Sequence, residues 1–70
     1  MLIDTYEKDE RKSEIYRENN QYLVRMYENN ILVDERGLAG HGIHYAESLA
    51  ENYVERIGPF YAPAKQFLQE

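Results

Sequence analysis

The chain has 70 residues, a net charge of −5 and no cysteine. That length makes one domain with a small core, and the lack of cysteine excludes a disulfide staple and a thiolate zinc site. The acidic balance, 13 Asp and Glu against 8 Lys and Arg, argues against the basic footprint of a nucleic-acid binder.

The first residues, Met1-Leu2-Ile3-Asp4, have neither the basic nor the apolar region of a secretory signal, so none is expected. No apolar run approaches the roughly 20 residues that span a bilayer. A cytoplasmic protein with no membrane partner is the expectation. Residues 1–20 are rich in charge. Thr5 is placed to cap a helix over residues 6–18, a stretch of good helix formers. Only Tyr6, Ile15 and Tyr16 are large and apolar there, so the alternative is a mobile segment.

Residues 21–27 alternate, with Tyr22, Val24 and Met26 on one side and Leu23, Arg25 and Tyr27 on the other. A period of two with β-branched and aromatic residues predicts a strand. Asn29-Asn30 tolerates the positive φ angles of a type I′ turn, so residues 31–38 are read as the returning strand. A two-residue turn sets Met26 against Val33, Tyr27 against Leu32 and Arg25 against Asp34. Gly37, Gly40 and Gly42 then break the strand. Ile43, Ala46, Ala50, Tyr53 and Ile57 follow at steps of three and four, flanked by Leu49 and Val54. They draw the apolar face of a helix over residues 42–57, with His41 or Gly42 as its N-cap and Gly58-Pro59 as its stop. The tail, residues 59–70, holds both prolines and both phenylalanines. The expected fold is α+β: a charged N-terminal segment (1–20) read as a helix, a hairpin–helix core (21–58) and a tail (59–70), with no internal repeat.

His41, His44 and Glu47 stand at steps of three, but no HExxH pattern accompanies them. A capping His41 and a solvent-facing His44 is the simpler reading, and no metal or cofactor is expected. The glycines do not match a phosphate-binding loop, and the carboxylates are scattered rather than gathered into a pocket. No enzymatic activity is expected.

Seven tyrosines in 70 residues are many, and tyrosine is enriched at binding surfaces. The bland reading is that Tyr22, Tyr45 and Tyr53 close a thin core. The hairpin is apolar on both sides: Tyr22, Val24, Met26 and Val33 on one, Leu23, Tyr27, Leu32 and Leu38 on the other. One helix covers one face, so something else must cover the second. The expected partner-binding residues are therefore Leu23, Tyr27, Leu32 and Leu38, with Phe60 and Tyr61 from the tail. The expected function is a small protein-interaction module with a protein partner, and a homo-oligomer, a dimer first, since so small a core gains from association. The alternative is a nucleic-acid-associated protein that uses the hairpin with Arg25 and Arg36 on one strand face.

Residues 22–30, Tyr-Leu-Val-Arg-Met-Tyr-Glu-Asn-Asn, followed by Gly40-His41-Gly42-Ile43-His44-Tyr45-Ala46-Glu47 and Ala50-Glu51-Asn52-Tyr53, resemble small uncharacterised proteins of marine cyanophages. The resemblance covers residues 22–57 and contains no catalytic signature. It implies a phage accessory protein that acts by binding a host protein in the host cytoplasm. It carries over no site residues.

Overall fold

Three dipeptides reverse the chain at ten-residue spacing: Asp9-Glu10, Asn19-Asn20 and Asn29-Asn30. Asp9 and the four asparagines of these turns have φ between 53° and 66°, the left-handed region that asparagine and aspartate tolerate best. Between the turns lie four strands: β1 (Leu2–Lys8), β2 (Arg11–Glu18), β3 (Gln21–Glu28) and β4 (Ile31–Leu38). Each pairs antiparallel with the next, so the sheet is a meander in the order β1-β2-β3-β4. A fourth turn, Ala39-Gly40, leads into the helix α1 (Ile43–Glu55). The computed structural model describes residues 1–57. The tail (59–70), with Phe60 and Tyr61, and the Gly58-Pro59 stop lie outside the described residues.

The fold is α+β, with two corrections. First, residues 6–18 form no helix; they belong to β1, the first turn and β2. The hairpin of β3 and β4 is therefore half of a larger sheet. The physical reason is that apolar content in β2 is low but alternating. Ser13 and Ile15 are fully buried on one face, while Lys12, Glu14 and Tyr16 occupy the other. Two apolar neighbours suffice when β3 supplies the rest by pairing Ile15 with Val24 and Ser13 with Met26. Nor is the chain without periodicity: its strands and turns recur every ten residues, although the side chains between the turns do not repeat.

Second, the register of β3 and β4 shifts. Glu28 faces Ile31 and Tyr27 faces Leu32, as a two-residue turn requires, but Met26 then faces Asp34 and Arg25 faces Glu35. Leu32 and Val33 together oppose Tyr27, a β-bulge. Each later residue of β4 is thereby moved to the opposite face. Leu38 now lies across from Tyr22 and is buried, at 6% exposure, instead of lining the outer face with Leu23, Tyr27 and Leu32. Glu35 goes the other way, out to Arg25.

The core lies between the sheet and α1. The sheet contributes Ile15, Val24, Met26 and Leu38; the helix contributes Ala46, Leu49, Ala50, Tyr53 and Val54. Leu49 and Val54 are core residues, whereas Ile57 is 54% exposed. The helix ends before Ile57 because Arg56 adopts the left-handed conformation, with φ 61°. The Arg56 amide donates to the Tyr53 carbonyl and the Ile57 amide to Asn52, the paired bonds of a Schellman closure. Gly42 is the N-cap, without a side-chain bond. Tyr45 is outside the core, stacked on His41 at 4.0 Å between ring centroids and 43% exposed.

Polar ties fix the helix to the sheet. Ser13 Oγ donates to the Ala50 carbonyl at 2.9 Å in the buried layer. Arg11 Nη1 donates to the Tyr53 carbonyl at 3.0 Å, supplying from β2 the positive charge that a helix C-terminus favours. Lys8 pairs with Glu55 at 2.8 Å, and Arg56 pairs with Glu10. The helix packs over β2, β3 and β1.

Candidate interaction face

The sheet has a second face that α1 does not touch. The register sets its residues in three cross-strand rows. Leu2, Tyr16, Leu23 and Gly37 form the first. Thr5, Glu14, Arg25 and Glu35 form the second, and Glu7, Lys12, Tyr27 and Leu32 the third. An apolar row and a mixed row thus flank a central row of alternating charge.

The centre of this face is ordered around one carboxylate. Glu14 Oε1 accepts a hydrogen bond from the Tyr16 hydroxyl at 2.8 Å and another from the Tyr27 hydroxyl at 3.0 Å. Tyr16 is two residues along the same strand, so it shares the face by pleat; Tyr27 arrives diagonally from β3. The other oxygen of Glu14 lies 3.8 Å from Lys12 Nζ. Lys12 sits over the Tyr27 ring at 4.8 Å, and Arg25 over the Tyr16 ring at 4.8 Å, both within cation–π range. Arg25 Nε donates to Glu35 Oε2 at 2.8 Å. Acceptance by Glu14, with burial, raises the Tyr16 hydroxyl above the ordinary phenol range. For Tyr27, burial is the larger cause and the Glu14 bond adds to it. The Glu35 hydrogen bond raises the Arg25 guanidinium in turn.

These contacts give two large aromatic rings one fixed arrangement on an open surface. Tyr16, Leu23, Arg25 and Tyr27 are half-buried, with no layer above them among the described residues. Leu32 at the margin is 49% exposed. Chemically, the face offers flat apolar area, a screened carboxylate and two cations already stacked on rings.

Of the residues singled out from the sequence, Leu23, Tyr27 and Leu32 share this face. Leu38 does not, because of the bulge. Phe60 and Tyr61 lie outside the described residues. Lys12, Glu14 and Tyr16 join this face from β2, and a helical reading of residues 6–18 hides them. One signal could have found them: Asn19-Asn20 is the same dipeptide as Asn29-Asn30, and the alternation of Lys12, Glu14 and Tyr16 with Arg11, Ser13 and Ile15 precedes it.

Arg25 and Arg36 do not share a face. Arg25 stands on the open side opposite Glu35, and Arg36 stands opposite the buried Val24, on the helix side. Each is ion-paired, Arg36 with Asp34 at 3.2 Å. The pair of phosphate contacts expected from one strand face is therefore not formed by this geometry.

His41 and His44 are both exposed, with His44 Nδ1 3.5 Å from Glu47. Among the described residues, no group of three or more His, Cys, Asp or Glu is placed to hold a metal ion. Among the same residues, no helix is long and apolar enough to cross a membrane. No family model, curated protein or solved structure matches the chain.

Proposed function

We propose that this chain is a small protein-interaction module that docks a protein partner on the open face of its sheet. The observation that supports it is the convergence of the Tyr16 and Tyr27 hydroxyls on one oxygen of Glu14. Side chains held in place before binding lose less entropy when a partner arrives, and buried tyrosine and arginine anchors contribute a large share of binding energy at protein interfaces. Leu23 and Leu32 extend the anchor area on either side. Following the resemblance to cyanophage proteins, we take the partner to be a host protein met in the cytoplasm of an infected cell.

The test is site-specific photo-crosslinking in the native cell. A crosslinking side chain at Leu23 or Leu32 is expected to trap the same discrete protein. The same group at Ser48, exposed on the helix, is expected to trap none. Tyr27→Ala, which removes the ring and leaves the backbone, should weaken the adduct by about tenfold or more. Equal trapping from Ser48, or an adduct indifferent to Tyr27→Ala, would overturn the reading.

A further inference from the structure

Among the described residues, the open face is one unpaired surface and the outer edge of β4 is another. Among those residues β4 is an edge strand, and an edge presents backbone donors and acceptors to any strand that matches it; the Glu35 amide already donates to Asp34 Oδ1 at 2.9 Å, a bond that an incoming strand exchanges for a backbone one. It begins with three consecutive exposed apolar residues, Ile31 at 66%, Leu32 at 49% and Val33 at 39% exposure. After them comes a short charged sequence, Asp34-Glu35-Arg36. Asp34 and Arg36 stand opposite Met26 and Val24, so both are on the helix side of the sheet. The helix packs over β2, β3 and β1, leaving the helix side of β4 as the part of the sheet it covers least.

We propose that β4 pairs antiparallel with β4 of a second copy of this chain, across a two-fold axis at Glu35, so that Asp34 of each copy meets Arg36 of the other. In this register the charge pattern is its own complement. An isologous contact repeats every pair, so one Asp–Arg match gives two. Val33 then faces Gly37 of the second copy, and the bulge at Leu32 and Val33 ends the pairing there. The one like-charge meeting is Glu35 with its own copy, and Arg25, 2.8 Å from each Glu35 carboxylate, offsets it on the open face. Shifting the register to oppose Asp34 with its own copy would remove both attractive pairs. The result is an eight-stranded sheet with both helices on one side.

The other edge, β1, does not offer the same join. Its helix side lies beneath an acidic flank of α1. Glu55 is ion-paired to Lys8, and Glu47 and Glu51 lie near enough to Tyr6 to act on its hydroxyl. Pairing β1 with its copy would bring two such flanks together. Pairing through β4 keeps the helices apart.

The experiment uses the full chain and two charge reversals, Arg36→Asp and Asp34→Arg. Sedimentation should show the unaltered protein in a concentration-dependent monomer–dimer equilibrium. Each reversal alone places like charges across the axis and should weaken its homodimer by about tenfold or more. An equimolar mixture of the two restores both Asp–Arg matches and should form a heterodimer, read as a mixed mass by native mass spectrometry. Loss of the Asp34–Arg36 pair within one chain cannot produce that rescue. Should either variant fail to fold, hydrogen exchange on the unaltered protein decides: protection over residues 33–37 should rise with protein concentration. A protein that stays monomeric up to about 1 mM, folded variants that form no heterodimer, or concentration-independent exchange over residues 33–37 would overturn the proposal. These readouts are independent of the crosslinking at Leu23, which lies on β3 away from the β4 edge, so the edge and the open face succeed or fail separately.

Discussion

The Tyr53 hydroxyl donates a hydrogen bond to the backbone carbonyl of Tyr27 at 2.9 Å. Tyr53 is the largest fully buried side chain of the helix, and Tyr27 turns its own side chain to the opposite face of the sheet. One contact thus fastens α1 to the strand that presents the candidate interaction face. Tyr53→Phe keeps the ring and leaves the Tyr27 carbonyl without that donor. It is expected to cost about 1 kcal/mol of stability, measured by urea unfolding. Tyr53→Ala also empties the core and is expected to cost about 3–5 kcal/mol.

Leu38 and Leu32 should separate in their effects, although the sequence placed them together. Leu38→Ala removes a buried side chain and is expected to destabilise the fold by about 2–3 kcal/mol, without altering crosslinking from Leu23. Leu32→Ser, on the exposed margin, should change stability by less than about 0.5 kcal/mol while weakening partner capture. Unfolding midpoints and crosslink yields on the same two variants check this.

Stability should fall at alkaline pH. Tyr16 and Tyr27 have raised hydroxyl pKa values in the fold, and Tyr6 shifts in the same direction through burial and nearby carboxylates. Above the unfolded phenol value of 10.0, the unfolded chain loses these protons while the folded chain still holds them. Deprotonation therefore favours unfolding. Their contribution is fully present below about pH 10 and is lost as pH rises through the folded values. The urea midpoint should be flat with respect to these groups between about pH 7 and 9 and then decline. The double variant Tyr16→Phe, Tyr27→Phe should decline less steeply, with Tyr6 and Lys8, both raised in the fold, contributing to what is left.

The turns leave room for stabilisation. Asn20 and Asn30 hold φ at 65° and 66°, where any side chain is less comfortable than none. Asn20→Gly and Asn30→Gly should each raise stability by about 0.5–1 kcal/mol, as Asn-Gly is the favoured type I′ pair. Thermal unfolding monitored by circular dichroism checks the sign.

Local chemistry was enough to locate β3, its turn and β4. Alternation around Asn29-Asn30 marks a hairpin whatever surrounds it, because pleat and turn act over a few residues. The same holds for α1, whose stripe of Ala46, Ala50 and Tyr53 follows from helical period alone. Leu23, Tyr27 and Leu32 share one face for the same local reason. Three features were settled only by the tertiary structure. Residues 6–18 are strand and turn because β3 lends β2 the apolar neighbours it lacks, a pairing whose local traces are only Asn19-Asn20 and the faint alternation before it. The bulge at Leu32 and Val33 exchanges Leu38 for Glu35, since burying a leucine under α1 and releasing a carboxylate toward Arg25 outweighs an unbroken register. The gathering of Tyr16 and Tyr27 on Glu14 needs both: alternation puts each side chain on a face, and only the pairing of β2 with β3 brings the two hydroxyls to the same oxygen.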